Sequence, residues 1–162
     1  MIEVMVGAAI LLLVTIGILP LFTRAMIDNT AGADYTKVSN FAKSRAEDFI
    51  RAPFSQAAYA LPAGAGTTAV IDEYMEPISG TWKVWPADNK PPVGTQWRRT
   101  ATIRHYAVGD IDDDQLFNTP LDGNTGPEFV HLKECTITVQ NISPATGFGL
   151  RRQTTLRILK AF

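Results

Sequence analysis

One cysteine, Cys135, is all that the chain's 162 residues contain, so no disulfide closes within it and any folded part stands on its core. Histidine is nearly as scarce, with two residues: His105 in a stretch of strand character and His131 at the start of another. Such histidines are more often satisfied surface or core groups than catalytic bases. No GxSxG, HExxH, P-loop or CxxCH pattern occurs; hydrolase, zincin, nucleotide-binding and c-haem readings lack their motifs, and the chain reads as a non-enzyme. Neither charge sign prevails, since 15 Lys+Arg stand against 16 Asp+Glu, so the totals carry no nucleic-acid footprint. Arginines do cluster at Arg98, Arg99 and Arg104, and at Arg151, Arg152 and Arg157. At strand spacing they are expected on a solvated sheet face. There are no internal repeats and no low-complexity tracts.

A further absence is local. Val4 to Phe22 contains no ionisable side chain and as a helix spans about 30 Å, the thickness of a bilayer core. Glu3 bounds it on one side and Arg24 on the other. A cleavable secretory signal fits badly: no basic stretch precedes the run, the run is long, and no small-x-small site closes it. A buried core helix fits no better, because the remaining chain is too small to enclose a helix apolar on every side. The segment is therefore expected to spend part of its life in lipid. Gly7, Gly17 and Pro20 are unusual for a plain anchor, since proline removes a helical hydrogen bond that neighbouring helices must resatisfy. Glu3 is unusual too. Acids near a span are costly and normally paired, and no Lys or Arg lies within reach on the chain's own first turns. Its partner is expected on another molecule, or to be a terminal amine.

From Ala33 to Ala52 the pattern turns amphipathic. Tyr35, Val38, Phe41, Ala42, Ala46, Phe49 and Ile50 recur at helical spacing, with Lys37, Lys43, Arg45, Glu47, Asp48 and Arg51 on the wet side. Pro53 ends the element. One helix over both stretches would be about 75 Å long, its first half protruding and its second packed on a head, with a bend expected near Gly32. Residues 54–81 read as a connecting loop. Four strands are predicted in 82–162: Trp82 to Trp85, Trp97 to Val108, Val130 to Ile142 and Leu150 to Leu159. Ala101, Ile103, Cys135, Ile137, Val139, Leu156 and Ile158 point inward, and SPATGFG links the last two strands. The fold class is α+β, a long N-terminal helix on a four-stranded antiparallel sheet. The organisation is 1–24 transmembrane or filament-core half, 25–53 amphipathic half, 54–81 loop and 82–162 head.

Two features invite a binding role. Asp110, Asp112 and Asp114 have the 1, 3, 5 spacing of a calcium loop, but Gln115 stands where glycine is needed and Leu121 where glutamate is needed. A solvated acidic loop is the preferred reading and an irregular Ca²⁺ site the alternative; no other metal or cofactor is indicated. Trp82, Trp85 and Trp97 could form an adhesive patch, but filling the small core between helix and sheet is the favoured use.

The stretch IEVMVGAAILLL resembles the N-terminal segment of mature type IV pilins and of the pseudopilins of type II secretion. In that family a leader is cut just before the apolar run. The mature chain then begins with a methylated hydrophobic residue and has glutamate fifth; here it is third. Measured from the glutamate, Pro20 falls where the family has its helix-loosening proline, with Gly17 in the same stretch. The close match covers about the first 25 residues, and the rest agrees in layout. The resemblance implies a structural subunit that waits in the bacterial inner membrane and polymerises into an extracellular pilus, with adhesion, twitching motility, DNA uptake, secretion and electron transfer all left open as its use. A prepilin peptidase and an inner-membrane assembly platform would be its partners, besides lipid and other copies of itself. Glu3 would meet the N-terminal amine of a neighbour, Gly17 and Pro20 would loosen the helix, and Val4, Val6, Ile10, Leu11, Leu13, Val14, Ile18 and Phe22 would pack the filament core. A minor pilin or pseudopilin is the alternative, and a singly anchored binding module the second.

Overall fold

The structure, a computed structural model, describes residues 2–86, 90–107, 119–142 and 152–162. The chain divides into a unit ending at Lys37 and a second, Val38–Phe162. A single helix, α1 (Ile2–Arg51), supplies all of the first described residues and opens the second unit. Pro53 follows its end, as a residue that cannot continue a helix should.

Within the second unit α1 buries Val38, Ala42, Ala46 and Phe49. That spacing of four, four and three keeps them on one stripe of a 3.6-residue helix. The stripe is narrower than the sequence suggests, because Tyr35 and Ile50 are exposed. The helix is also continuous across Gly32. The Thr36 hydroxyl donates to the Gly32 carbonyl at 3.0 Å.

Five strands, not four, form the antiparallel sheet, in the order β2-β1-β3-β4-β5. They are β1 (Ala69–Met75), β2 (Trp82–Val84), β3 (Trp97–Tyr106), β4 (Leu132–Asn141) and β5 (Gln153–Ala161). The strand missed by the sequence reading is β1, which lies in the stretch assigned to loop. Its helix-facing positions are Ala69, Ile71, Glu73 and Met75. A glutamate in that series beside an outward aspartate, Asp72, breaks the alternation that normally marks a strand.

Register places the core in rows. Ala69, Ile103, Cys135 and Ile158 lie side by side across β1, β3, β4 and β5, and Ile71, Ala101, Ile137 and Leu156 form the next row, though Leu156, on the edge strand β5, is exposed rather than buried. Ile103, Cys135, Ile137 and Val139 have no exposure at all. Filling the inward face with β-branched and small side chains leaves room for the Phe49 ring, which meets Tyr59 edge-on at 5.1 Å. Burying a side chain of that size is worth about 1.5–3 kcal/mol. Cys135 is thus a core residue, as its alternation with Ile137 and Val139 indicates.

The tryptophans divide between the two faces. Trp82 and Trp97 both meet Phe41 edge-on, at 5.4 and 5.7 Å, and belong to the core as expected. Trp85 does not. It stacks under the Arg98 guanidinium at 4.2 Å and beside Tyr74 at 6.4 Å, on the face away from α1. The arginines also need correction. Arg98 is on the outer face, held by Asp72, whereas Arg99 is buried on the helix side, because successive strand residues point to opposite faces. Arg104 is exposed, and Arg157 is ion-paired to Glu134. SPATGFG and Arg151 lie outside the described residues.

Candidate functional site

The first unit carries the residues to which the sequence assigns an assembly role. All of them lie on α1, and Glu3 is in its first turn, where a carboxylate complements the positive end of the helix dipole. Val4, Val6, Ile10, Leu11, Leu13, Val14, Ile18 and Phe22 are all exposed, Ile18 least at 44% and Val4 most at 76%. This helix is long and apolar enough to cross a membrane. Its few polar groups are turned inward on the backbone. The Thr15 hydroxyl donates to the Leu11 carbonyl at 2.8 Å and that of Thr23 to Leu19 at 3.0 Å, which leaves no hydroxyl seeking a partner in an apolar medium.

Pro20 sits inside the helix without interrupting it. Having no N–H, it cannot bond the Ile16 carbonyl, so the ladder is weakest one turn around Gly17. A Cβ added at Gly7 or Gly17 would meet nothing within 4 Å. The chain's own packing therefore does not require glycine at either position. At about 100° per residue Glu3, Gly7, Ile10, Val14, Gly17 and Leu21 fall on one stripe of the helix. The helix thus gathers the acid and both glycines, while Pro20 lies to one side. Beyond the apolar run, Arg24 Nε meets Asp28 Oδ2 at 3.1 Å.

In the second unit the polar groups are engaged with one another. Glu73 on β1 pairs with Arg99 opposite it at 2.7 Å and with Arg45 of α1 at 3.9 Å. Arg99 stacks on Trp82 at 4.2 Å and Arg45 faces the Tyr59 ring at 5.3 Å. Arg45, read from sequence as a wet-face residue, has a side chain only 14% exposed. Its Nε is buried with no hydrogen-bond partner among the described residues. Such a cluster is costly to desolvate, but removing one member would strand the rest.

A second basic set gathers where α1 ends. Lys133 Nζ donates to the Phe54 carbonyl at 2.6 Å, and Lys160 Nζ donates to the carbonyls of Phe49 at 3.2 Å, Ile50 at 2.9 Å and Ala52. The Phe49 and Ile50 carbonyls belong to the last turn of α1, which leaves them without an intrahelical donor, at the negative pole of the helix; those of Ala52 and Phe54 follow just beyond it. Burial, and then the Lys160 charge, push the Lys133 ammonium down from its ordinary value. Beside it His105 Nε2–H donates to the Tyr59 carbonyl at 3.0 Å, and burial lowers its pKa. His131 lends its backbone, with its N–H donating to Tyr106 and its carbonyl accepting from Phe162.

On the opposite face Glu134 accepts from Tyr106 at 2.8 Å, Thr136 at 3.1 Å and Arg157 at 2.9 Å. Burial alone would raise this carboxyl, but those donors outweigh it and hold it below the usual range. Burial pushes the Cys135 thiol up to about 11, which leaves it un-ionised at neutral pH. Asp110, Asp112 and Asp114 lie outside the described residues. Among the described residues no group of three or more His, Cys, Asp or Glu side chains is placed to hold a metal ion.

Comparison of the chain with family models, with curated proteins and with solved structures finds no match.

Proposed function

We propose that the chain is the structural subunit of a type IV pilus-like filament, held before assembly in the bacterial inner membrane by the apolar half of α1. The observation that carries this reading is a helix segment apolar on every side and uncovered by its own chain, with Glu3 at its edge. A segment of that kind stays out of water only in lipid or against other copies of itself. On assembly it exchanges the first environment for the second. Glu3 then meets the N-terminal amine of a neighbour, and two charges that are costly in an apolar medium cancel. Gly7 and Gly17, which the isolated chain does not need, let helices approach closely. Pro20 lets α1 yield locally as it packs.

The test is Glu3→Ala in cells that make the protein. The expected outcome is a folded, membrane-held subunit and a filament yield reduced about tenfold or more, the effect of losing a pairing of about 1.4 kcal/mol or above, measured by electron microscopy of sheared fibres and mass spectrometry of their main component. Normal filaments from the variant would sink the Glu3 role. Absence of the wild-type chain from sheared fibres would sink the filament reading.

A further inference from the structure

Between Glu3 and Arg24 the helix carries no charge. A copy lying against that stretch can offer a carboxylate no cation there. We propose, resting on the filament reading above, that Arg24 of one copy is a partner of Glu3 of another, the two helices running parallel with an axial offset of about 32 Å, the rise of α1 from one residue to the other.

Three considerations bear on this pairing. First, the offset that pairs the two charges is set by the uncharged run itself, which they bound. The apolar segment of one copy then begins at the level where that of the other ends, and every level of a filament core is occupied by apolar helix. Copies at intermediate offsets supply the lateral apolar contacts. Second, Arg24 can take a further carboxylate. Its contact with Asp28 runs through Nε, and a guanidinium has five N–H donors. Glu3 has acceptor sites for both a neighbour's amine and Arg24, supplied by different copies: one nearly level with it and one about 32 Å away. Third, copies anchored in one membrane share an orientation, which makes the contact head to tail. Such a contact does not close on itself and propagates as an open helical polymer.

Cysteines at Val6 and Ile27, one turn beyond Glu3 and Arg24 and separated by the same rise, report the offset. The native thiol, Cys135, is buried and stays out of the reaction. Sheared filaments of the double variant Val6→Cys, Ile27→Cys, oxidised and run without reductant, are expected to give a ladder of covalent multimers, because each chain carries both halves of the contact. Filaments without a ladder overturn the offset and leave the filament reading standing. Failure of the wild-type chain to form filaments overturns both. Should the double variant not assemble, Arg24→Gln decides: an about tenfold or larger fall in filament yield, restored by Arg24→Lys, upholds the pairing, and a normal yield overturns it.

Discussion

Between Val4 and Phe22 every large apolar side chain is at least 44% exposed, whereas on the same helix Val38 and Phe49 are no more than 1% exposed. The second stretch is amphipathic, and its chain supplies a sheet whose rows of Ala, Ile, Val and Cys fit its one apolar stripe. The first stretch has no polar side to turn outward. No single face can bury it, and among the described residues nothing covers it. Helical structure is common to both; what differs is whether the described residues supply a burying surface.

The sharpest way to break that contrast is to truncate one large ring in each stretch. Phe49→Ala is expected to cost about 3–5 kcal/mol, read as a fall in the urea midpoint of the detergent-solubilised chain followed by tryptophan fluorescence. Phe22→Ala in the same assay is expected to stay within about 0.5 kcal/mol and to act on filament yield instead. Equal losses from the two would mean that the apolar stretch is covered by its own chain after all.

A smaller effect is expected at the end of the helix. Lys160→Met keeps the apolar stem but removes the ammonium that caps the Phe49, Ile50 and Ala52 carbonyls, at about 1–2 kcal/mol. No change in unfolding midpoint would show that water replaces this cap without loss.

The smallest expected effect is the acid profile of the second unit. His105 and Glu134 both bind their proton less readily folded than unfolded. The stability they lend is complete above the ordinary values of 6.5 and 4.5 and is lost as pH falls through the lower folded ones. The urea midpoint should therefore fall below about pH 6.5 and again below about pH 4.5, and His105→Gln should remove the first fall only. A midpoint that rises on acidification through pH 6 would contradict the burial of a neutral imidazole.

Much of this architecture was legible from spacing. The apolar run, the amphipathic half, Pro53 as a stop and the inward set Ala101, Ile103, Cys135, Ile137 and Val139 follow from periods of 3.6 and 2. What escaped were charges placed inside. Glu73 concealed β1, and Arg45 and Arg99 were read as solvated. A signal for the lysines was available: Lys133 is in phase with Cys135 and Ile137, and Lys160 with Ile158, so extending each alternation by one step marks both as inward. Nothing local marks what they bond, because the acceptors lie on α1 and the segment after it, distant in sequence.

Sequence alone thus determined that the chain has an apolar helix with an acid at one lip and a base at the other, and a head of helix on strands. Side-chain period and the absence of charge are local properties that need no partner to be read. Only the tertiary structure decided which charges are buried and what they touch. Glu73 meets Arg99 and Arg45, and Lys160 meets the end of α1, because sheet register and helix docking bring distant groups within hydrogen-bond reach. In an interior that resists unpaired charge, that proximity is what lets them stay.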